Sequence, residues 1–329
     1  MTMRFDLVSR RALLAAPAAI AAAQPALAQQ SALVEAGSQG WLFPIWDKID
    51  RVDATSLREN VQLIAGAITA LRGGRMDAVL CLIPSRKRLM RQFLPASSRY
   101  SPDAERRYSL TMAEVRRAGG LVPDLDARFR EVLTREPNRP LFWKTDTHWT
   151  PVGAETAAIE IAKQMREQLG MPASQRPGTR LGDLRPMTLA AGDLTHYVPA
   201  AQRPSYGAED SMIRQILPAE GVASLLEDDV SDVVIVGTSN VQPRFGFQPV
   251  LSNQVLRPVG LSWRPNNVGP YFTLLEYLKS DGFRRQRPRA LIWNLLEPDV
   301  PTSPNNSAWG QMAMPPATFL SEIRRLVAQ

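Results

Sequence analysis

The sequence has little of the residue types on which many catalytic and structural sites depend. It contains one cysteine, Cys81, and two histidines, His148 and His196, among 329 residues. A single cysteine excludes an internal disulfide, and so few cysteine and histidine side chains make a poor ligand set for a metal. Because Cys81 lies within an apolar stretch, we expect a buried, unreactive thiol. A mechanism that depends on histidine has only two residues from which to draw its base.

Long apolar runs are also scarce. One run, from Ala12 to Ala23, follows three arginines and precedes the small residues Ala26-Leu27-Ala28. This pattern is typical of a secretory signal peptide, and no later segment offers the ~20 apolar residues of a membrane helix. The pair Arg10-Arg11 resembles a twin-arginine export signal, although an ordinary signal peptide carrying two arginines also fits. We predict that residues 1–28 are a signal peptide, cleaved near Ala28 or kept as an anchor, and that the protein is exported.

The chain carries an excess of positive charge, with a formal net charge of +7. Such an excess favours an acidic polysaccharide or an anionic membrane surface as a partner. The arginine-rich run 284–287 also fits an ordinary solvated face. Since the chain shows no basic, aromatic-studded motif, we expect no nucleic-acid partner.

Short apolar segments alternate with amphipathic ones across residues 29–329, which we interpret as a single α/β domain. The alternation is typical of a parallel sheet covered by helices on both faces. The region from Arg176 to Pro218 is rich in proline, glycine and arginine and is predicted to form surface loops. Strands are predicted at Met76–Ile83, Leu121–Val122, Val233–Val236 and Ala290–Trp293, and helices from Thr55 or Ser56 to Arg72, at 102–117, from Pro151 onward, at 272–279 and at 317–327.

Three residues have the chemistry of acyl transfer. Asp146 and His148 stand two residues apart, just before a helix that Thr150 should cap, and Ser239 follows a predicted buried strand and a glycine. A carboxylate can orient an imidazole, which can in turn take the proton of a serine hydroxyl. The spacing alone also fits a solvated loop and a simple turn. His196 is the rival base, for which we favour a surface or structural role.

Four segments resemble the alginate O-acetyltransferase family, which includes AlgX and AlgJ. They are Gly40-Trp41-Leu42-Phe43, the run from Asp146 to Ala154, the run from Val234 to Ser239, and the run from Leu291 to Pro298. The resemblance implies an SGNH-hydrolase-like three-layer sandwich with a central, mostly parallel sheet, in which the Asp/His pair precedes the serine. It also implies that Ser239 is the nucleophile, His148 the general base and Asp146 its orienting partner.

The resemblance further implies a function for the whole chain. The family acetylates hydroxyls of exported polysaccharides in the periplasm and works with a membrane-bound O-acyltransferase as acetyl donor. We therefore expect a periplasmic O-acetyltransferase that needs no cofactor, acting on alginate or another exopolysaccharide. A carbohydrate acetylesterase and a non-catalytic polysaccharide-binding protein of the same fold remain the alternatives.

Four further residues are candidates for binding substrate. Trp149, beside the base, suits stacking on a sugar ring, and packing under the loop fits equally. Asn240, Arg264 and Tyr271 are candidates for binding substrate or stabilising an oxyanion, and a surface-loop role fits each as well. The backbone N–H of Ser239 or its neighbour should also stabilise the oxyanion, because developing negative charge needs preorganised donors.

Overall fold

The structure, a computed structural model, describes residues 33–218 and 231–329. The predicted signal peptide lies outside the described residues. Within those two ranges, no helix is both long enough and apolar enough to cross a membrane. Numbered along the chain, the elements are β1 (Val34–Ala36), β2 (Leu42–Pro44), α1 (Ala54–Gly73), β3 (Asp77–Ile83), α2 (Arg86–Leu89), α3 (Pro102–Arg117), α4 (Leu125–Arg135), α5 (Pro151–Gln168), β4 (Leu181–Leu189), β5 (Glu209–Ile216), β6 (Val233–Gly237), α6 (Phe247–Val255), β7 (Val259–Trp263), α7 (Pro270–Lys279), α8 (Asp281–Arg285), β8 (Ala290–Leu296) and α9 (Pro316–Ala328).

A four-stranded sheet forms the centre of the molecule, in the order β3-β8-β6-β7. Each neighbouring pair is parallel. The two inner strands, β8 and β6, are apolar along nearly their whole length because both of their faces are covered. The sequence predicted both as central strands, and the structure confirms this.

Helices cover both faces of the sheet and make three layers. On one face α4, α5 and α6 pack against alternate residues such as Val79 and Ile235. On the other, α1, α3, α7 and α9 pack against the residues between them, such as Leu80 and Val236. Cys81 faces the first layer, and its burial raises the pKa of the thiol to about 12. The three-layer α/β architecture and the buried thiol are confirmed.

Two local predictions were wrong. The region from Arg176 to Pro218 is not all loop, because β4 and β5 within it pair as an antiparallel hairpin. Most of the hairpin's residues are exposed or half-buried, so its strands lack the apolar alternation that marks a strand in sequence. The expected strand at Leu121–Val122 is reduced to a single bridge between Leu121 and Val79.

A buried ionic cluster ties together the strand ends at the carboxyl edge of the sheet. Glu297, just after β8, accepts hydrogen bonds from the Ser85 amide at 2.8 Å, from Arg88 at 2.8 Å and from Arg107 at 3.2 Å. Ser85 follows β3, and Arg107 lies on α3. Because a buried carboxylate is tolerated only when its partners are fixed around it, this cluster holds the edge from which Ser239 projects.

Candidate active site

The segment that carries Asp146 and His148 is held at the entrance of a helix. Thr150 caps α5 by accepting a hydrogen bond from the Gly153 amide at 3.1 Å, and Pro151 occupies the first helical position. The Thr150 amide also donates to the Leu141 carbonyl at 3.0 Å, which closes the segment into a loop. The predicted cap is confirmed, and it keeps the base at a fixed position relative to the sheet.

Ser239, His148 and Asp146 form one hydrogen-bonded chain. Nε2 of His148 lies 2.8 Å from Oγ of Ser239, and Nδ1 lies 2.5 Å from Oδ1 of Asp146. Ser239 begins a short 3₁₀ turn immediately after β6 and is half-buried, whereas His148 and Asp146 are buried. The three residues predicted from sequence are therefore brought together, and of the three only Ser239 is partly exposed.

Asp146 is held in its ionised form. Burial works to raise its pKa, but the hydrogen bond and the charge of His148, together with two backbone N–H donors, hold the pKa below its ordinary value. Those donors are the amides of His148, at 3.0 Å, and of Asp193, at 3.1 Å. An ionised carboxylate at Nδ1 keeps the proton of a neutral imidazole on that nitrogen, which leaves Nε2 free to accept the serine proton.

Asp193 is a second carboxylate beside the base that the sequence did not single out. Its Oδ2 lies 3.7 Å from Nδ1 of His148, and its two oxygens accept hydrogen bonds from the amide and hydroxyl of Thr147 at 2.8 and 2.5 Å. Burial and the nearby charge of Asp146 raise the pKa of Asp193 above its ordinary value. In the sequence, Asp193 is marked only by its place three residues before His196. That spacing does not reveal its contact with His148.

Arg86, which is buried, and Glu209, which is half-buried, hold the same segment. The buried guanidinium of Arg86 donates to the carbonyls of Trp143 and Lys144, each at 2.8 Å, and to that of Asp146. The carboxylate of Glu209, on β5, accepts from the amides of Lys144 and of the residue after it at 2.7 and 2.9 Å. The hairpin of β4 and β5, in the region that was predicted to be loops, therefore contributes directly to the position of the Asp/His segment.

Phe245 and Arg244 form the side of the site next to the imidazole. The ring of Phe245 lies 5.2 Å from that of His148, centroid to centroid, and is itself buried. The guanidinium carbon of Arg244 lies 4.7 Å from the Phe245 centroid, and Arg244 is exposed. An exposed cation and the buried base therefore contact the same aromatic ring.

Trp149 does not meet substrate. Its side chain is fully buried, its indole N–H donates to the Asn240 carbonyl at 2.8 Å, and its ring packs 5.3 Å from that of Phe247. The expectation that it stacks on a sugar was wrong, because no face of the ring is open. The alternative of packing under the loop is what the structure shows, and the indole links the base segment to the serine turn.

Tyr271 is likewise part of the core. Its hydroxyl donates to the Thr302 carbonyl at 3.0 Å, and its ring packs edge-on against Trp293 and Phe319. With 2% of its surface exposed it cannot contact a polysaccharide, so this prediction was also wrong. The error arose because Tyr271 opens α7 near the carboxyl edge of the sheet but points into the apolar layer.

Three candidates remain, namely Asn240, Arg264 and His196. Asn240 follows the serine and is buried, and its Oδ1 has no hydrogen-bond partner among the described residues. Arg264 donates its amide to the Gly237 carbonyl at 3.1 Å, and its side chain forms an ion pair with Glu276. Substrate binding by Asn240 and Arg264 stays a prediction. His196 is exposed, as its surface role requires.

One group among the described residues has the donor atoms to hold a metal ion. Asp146, His148 and Asp193 each offer one atom, and the three lie within 4.8 Å of one another. The same atoms make the hydrogen bonds given above, with Nδ1 and Oδ1 at 2.5 Å. A cation between them would have to break the bond that orients the imidazole. We therefore assign these side chains to the serine–histidine–carboxylate chain.

Comparison with known proteins gives concordant results. The family described as the SGNH hydrolase-like domain of acetyltransferase AlgX matches residues 34–297. A probable alginate O-acetylase AlgJ from Pseudomonas putida is 30% identical in an alignment 275 residues long that covers 80% of this chain and 69% of that protein. The AlgJ of Pseudomonas aeruginosa, also named a probable alginate O-acetylase, is 30% identical in an alignment 292 residues long that covers 80% of this chain and 70% of that one.

Two solved structures are similar in fold. The O-acetyltransferase domain of Pseudomonas putida AlgJ superposes with a TM-score of 0.71 at 25% identity, covering 89% of this chain and 98% of that domain. Pseudomonas aeruginosa AlgX gives a TM-score of 0.64 at 21% identity, covering 92% of this chain and 70% of that one. The second likeness supports the fold alone.

Proposed function

The chain belongs to the family of the SGNH hydrolase-like acetyltransferase AlgX, and from this premise we propose that it transfers acetyl groups to hydroxyls of a polysaccharide through an acetyl-Ser239 intermediate. The observation that carries the proposal is the hydrogen-bonded chain from Asp146 through His148 to Oγ of Ser239. A serine hydroxyl is a weak nucleophile until a base takes its proton, and this arrangement supplies that base in a fixed orientation.

The first step forms the acetyl-enzyme. Nε2 of His148 takes the proton of Ser239 as Oγ attacks the acetyl carbonyl carbon of the donor ester. The tetrahedral intermediate collapses when the imidazolium gives that proton to the departing donor oxygen. The amides of Ser239 and Asn240 lie in the first turn of the 3₁₀ segment, where the helix itself provides no acceptor, so they suit the oxyanion.

The second step moves the acetyl group to the sugar. Nε2 of His148 takes the proton of an acceptor hydroxyl, whose oxygen attacks the acetyl carbon, and the imidazolium returns that proton to Oγ of Ser239. Water can replace the sugar in this step because Ser239 is half-exposed. Hydrolysis is therefore the competing reaction of the same intermediate, and the acceptor site decides the outcome.

The donor and the location complete the proposal. We propose that the protein acts in the periplasm after export, where acetyl-coenzyme A is not at hand. A membrane-bound O-acyltransferase would then supply the acetyl group, and no cofactor is required. Alginate, which the names of the relatives give as the molecule they acetylate, is our first candidate acceptor, and other exopolysaccharides carry the same hydroxyl chemistry.

The proposal is tested by measuring the intact mass of the protein after incubation with an activated acetyl ester. We expect a single acetyl adduct on the wild type and none on Ser239→Ala. Ser307→Ala, which removes an exposed hydroxyl outside the site, should keep the adduct. Fast ester turnover without an adduct, lost in Ser239→Ala, would support hydrolysis. A folded wild type that shows neither adduct nor turnover would contradict the proposal and favour a non-catalytic binding protein.

A further inference from the structure

Arg244 lies at the rim of the candidate active site without an acidic partner in the described ranges. Its side chain is exposed, and its contact is with the ring of Phe245 at 4.7 Å. By contrast, Arg264 is paired with Glu276, and Arg86 is buried against backbone carbonyls. Of these three arginines, Arg244 is the one whose guanidinium can take an external anion.

The distance from the guanidinium of Arg244 to the imidazole of His148 has an upper bound. Since Arg244 lies 4.7 Å and His148 lies 5.2 Å from the same Phe245 centroid, the guanidinium carbon is no more than about 10 Å from the imidazole centroid. That distance is comparable to the span of a disaccharide unit. A sugar whose hydroxyl reaches Nε2 of His148 can therefore place a substituent of the same or the adjoining ring at Arg244.

The charges on the two sides of the imidazole differ in sign. Arg244 supplies a cation on the Phe245 side, whereas Asp193, with 41% of its side chain exposed, supplies a carboxylate at Nδ1. An acceptor that carries a carboxylate is attracted to the first side and repelled from the second. The field therefore favours one orientation of an anionic sugar over the other.

We infer that Arg244 is an anion subsite that binds a carboxylate of the acceptor, and that it makes the enzyme selective for uronate-containing polysaccharides over neutral ones. The inference rests on the proposed acetyl transfer. A guanidinium can form two parallel N–H···O bonds with a carboxylate, a geometry that an ammonium lacks. Contact with the Phe245 ring at 4.7 Å restricts the guanidinium in advance, which lowers the entropy lost when the sugar binds.

The experiment compares acceptors and keeps the donor constant. An activated acetyl ester is the donor, and the acceptors are an unacetylated oligouronate and a neutral oligoglucoside of equal length. We expect the wild type to prefer the oligouronate. Arg244→Gln should raise KM for the oligouronate about tenfold, the value of one exposed charge-assisted contact, and should leave the neutral acceptor unchanged. Arg244→Lys should have a KM for the oligouronate between those of the wild type and Arg244→Gln. Added salt should reduce the preference of the wild type for the oligouronate over the neutral acceptor.

A matched control is available at the opposite end of the sheet. Arg285, at the end of α8, is exposed and precedes β8, so it lies toward the amino edge of the parallel sheet. Arg285→Gln changes the net charge as much as Arg244→Gln does and should leave both acceptors unaffected. Circular dichroism confirms that each variant is folded.

The outcomes separate the inference from the proposed function. If the wild type uses both acceptors equally, or Arg244→Gln keeps the preference, the subsite is wrong and acetyl transfer stands. If Arg244→Gln slows formation of acetyl-Ser239 itself, Arg244 supports Phe245 and the base, and the acceptor role is overturned. If the folded wild type forms no acetyl-enzyme and turns over no ester, both proposals fail.

Discussion

The carboxylate of Asp193 lies 3.7 Å from Nδ1 of His148, on the opposite side of the ring from Ser239. Asp146 binds the same nitrogen at 2.5 Å, so two acids share one imidazole. Their surroundings separate them: the pKa of Asp146 lies below its ordinary value and that of Asp193 above it. On acidification Asp193 becomes neutral first, while Asp146 keeps its charge. The charge next to the base therefore depends on pH in the acidic range.

Replacement of Asp193 by asparagine tests this relationship. Asparagine keeps an oxygen that can accept from the Thr147 amide, which Asp193 binds at 2.8 Å, and removes the charge. Because the pKa of Asp193 is raised, its carboxylate changes charge with pH in the acidic range, so its loss should change the acidic limb of the pH–rate profile. We expect turnover at neutral pH to fall less than about tenfold. The measurement is kcat/KM for an activated acetyl ester from about pH 4 to about pH 9.

A control for Asp193→Asn is Asp183→Asn, which removes an exposed acid from β4. Asp183→Asn should leave the pH–rate profile unchanged. A profile of Asp193→Asn that superimposes on the wild type would show that Asp193 has only a structural role in the Thr147 turn.

Asp146→Asn should reduce turnover far more than Asp193→Asn. An asparagine at this position can donate its N–H to Nδ1, which stabilises the tautomer with the proton on Nε2 and leaves no acceptor for the serine proton. We expect kcat for an activated acetyl ester to fall about 10⁴-fold, as in other serine–histidine–aspartate sites, with the fold retained. The measurement is steady-state turnover beside a thermal unfolding curve.

The pH dependence of stability gives a second test of Asp146. Its pKa is lower in the folded protein than in the unfolded chain, so its contribution to stability is present above the unfolded pKa and is lost as the pH falls through the folded pKa. Asp146→Asn should therefore flatten this part of the acid unfolding curve. An asparagine variant with wild-type turnover would show that the carboxylate does not orient the base.

Local signals in the sequence were enough for some parts of the structure. The helix that begins at Pro151 carries its own cap in Thr150, and the buried strands β6 and β8 are short apolar runs, so both were predicted from neighbouring residues. The chemistry of Asp146, His148 and Ser239 suggested a shared site, and the resemblance to the alginate O-acetyltransferase family favoured that site over a solvated loop and a simple turn. The helix and the strands depend on periodicity and chain order, which a single sequence contains.

The contacts that position the site could not be predicted in this way. Asp193 meets the Asp/His segment from 47 residues further along the chain, and Arg86 meets it from 60 residues before. Spacing contains no information about such pairs. Trp149 and Tyr271 were assigned to substrate because aromatic residues near a site suit either sugar or core, and only burial separates the two. The hairpin of β4 and β5 was missed because water surrounds most of it.

Trp149→Phe tests the structural role that replaces sugar stacking. The variant keeps an aromatic ring against Phe247 and loses the indole N–H that binds the Asn240 carbonyl at 2.8 Å. A buried carbonyl without its donor should lower the free energy of unfolding by about 1–3 kcal/mol. Because the ring is fully buried, KM for the acceptor should not change. Urea unfolding and acceptor kinetics measure the two effects, and a raised KM with unchanged stability would restore the stacking role.

Arg86→Gln tests whether the Asp/His segment depends on one buried cation. Burial lowers the pKa of Arg86 to about 10, so the guanidinium stays charged at neutral pH and holds the carbonyls of Trp143, Lys144 and Asp146. Glutamine is shorter and cannot reach all three, and the lost contacts should lower the free energy of unfolding by about 3–5 kcal/mol. Ester turnover, measured at a temperature where the variant is folded, should also fall because the segment shifts away from Ser239.

A second arginine provides the comparison for Arg86. Arg116, on α3, donates to the single carbonyl of Val122 at 3.1 Å. Arg116→Gln should lower the free energy of unfolding by about 1 kcal/mol, the net value of one ordinary hydrogen bond, and should leave ester turnover unchanged. Arg86→Lys keeps the charge but has one donor group. Its loss in the free energy of unfolding should lie between those of Arg116→Gln and Arg86→Gln. If Arg86→Gln were no less stable than Arg116→Gln and turned over ester at the wild-type rate, the Glu209 contacts alone would be enough to hold the segment, and the guanidinium would not be needed to position the base.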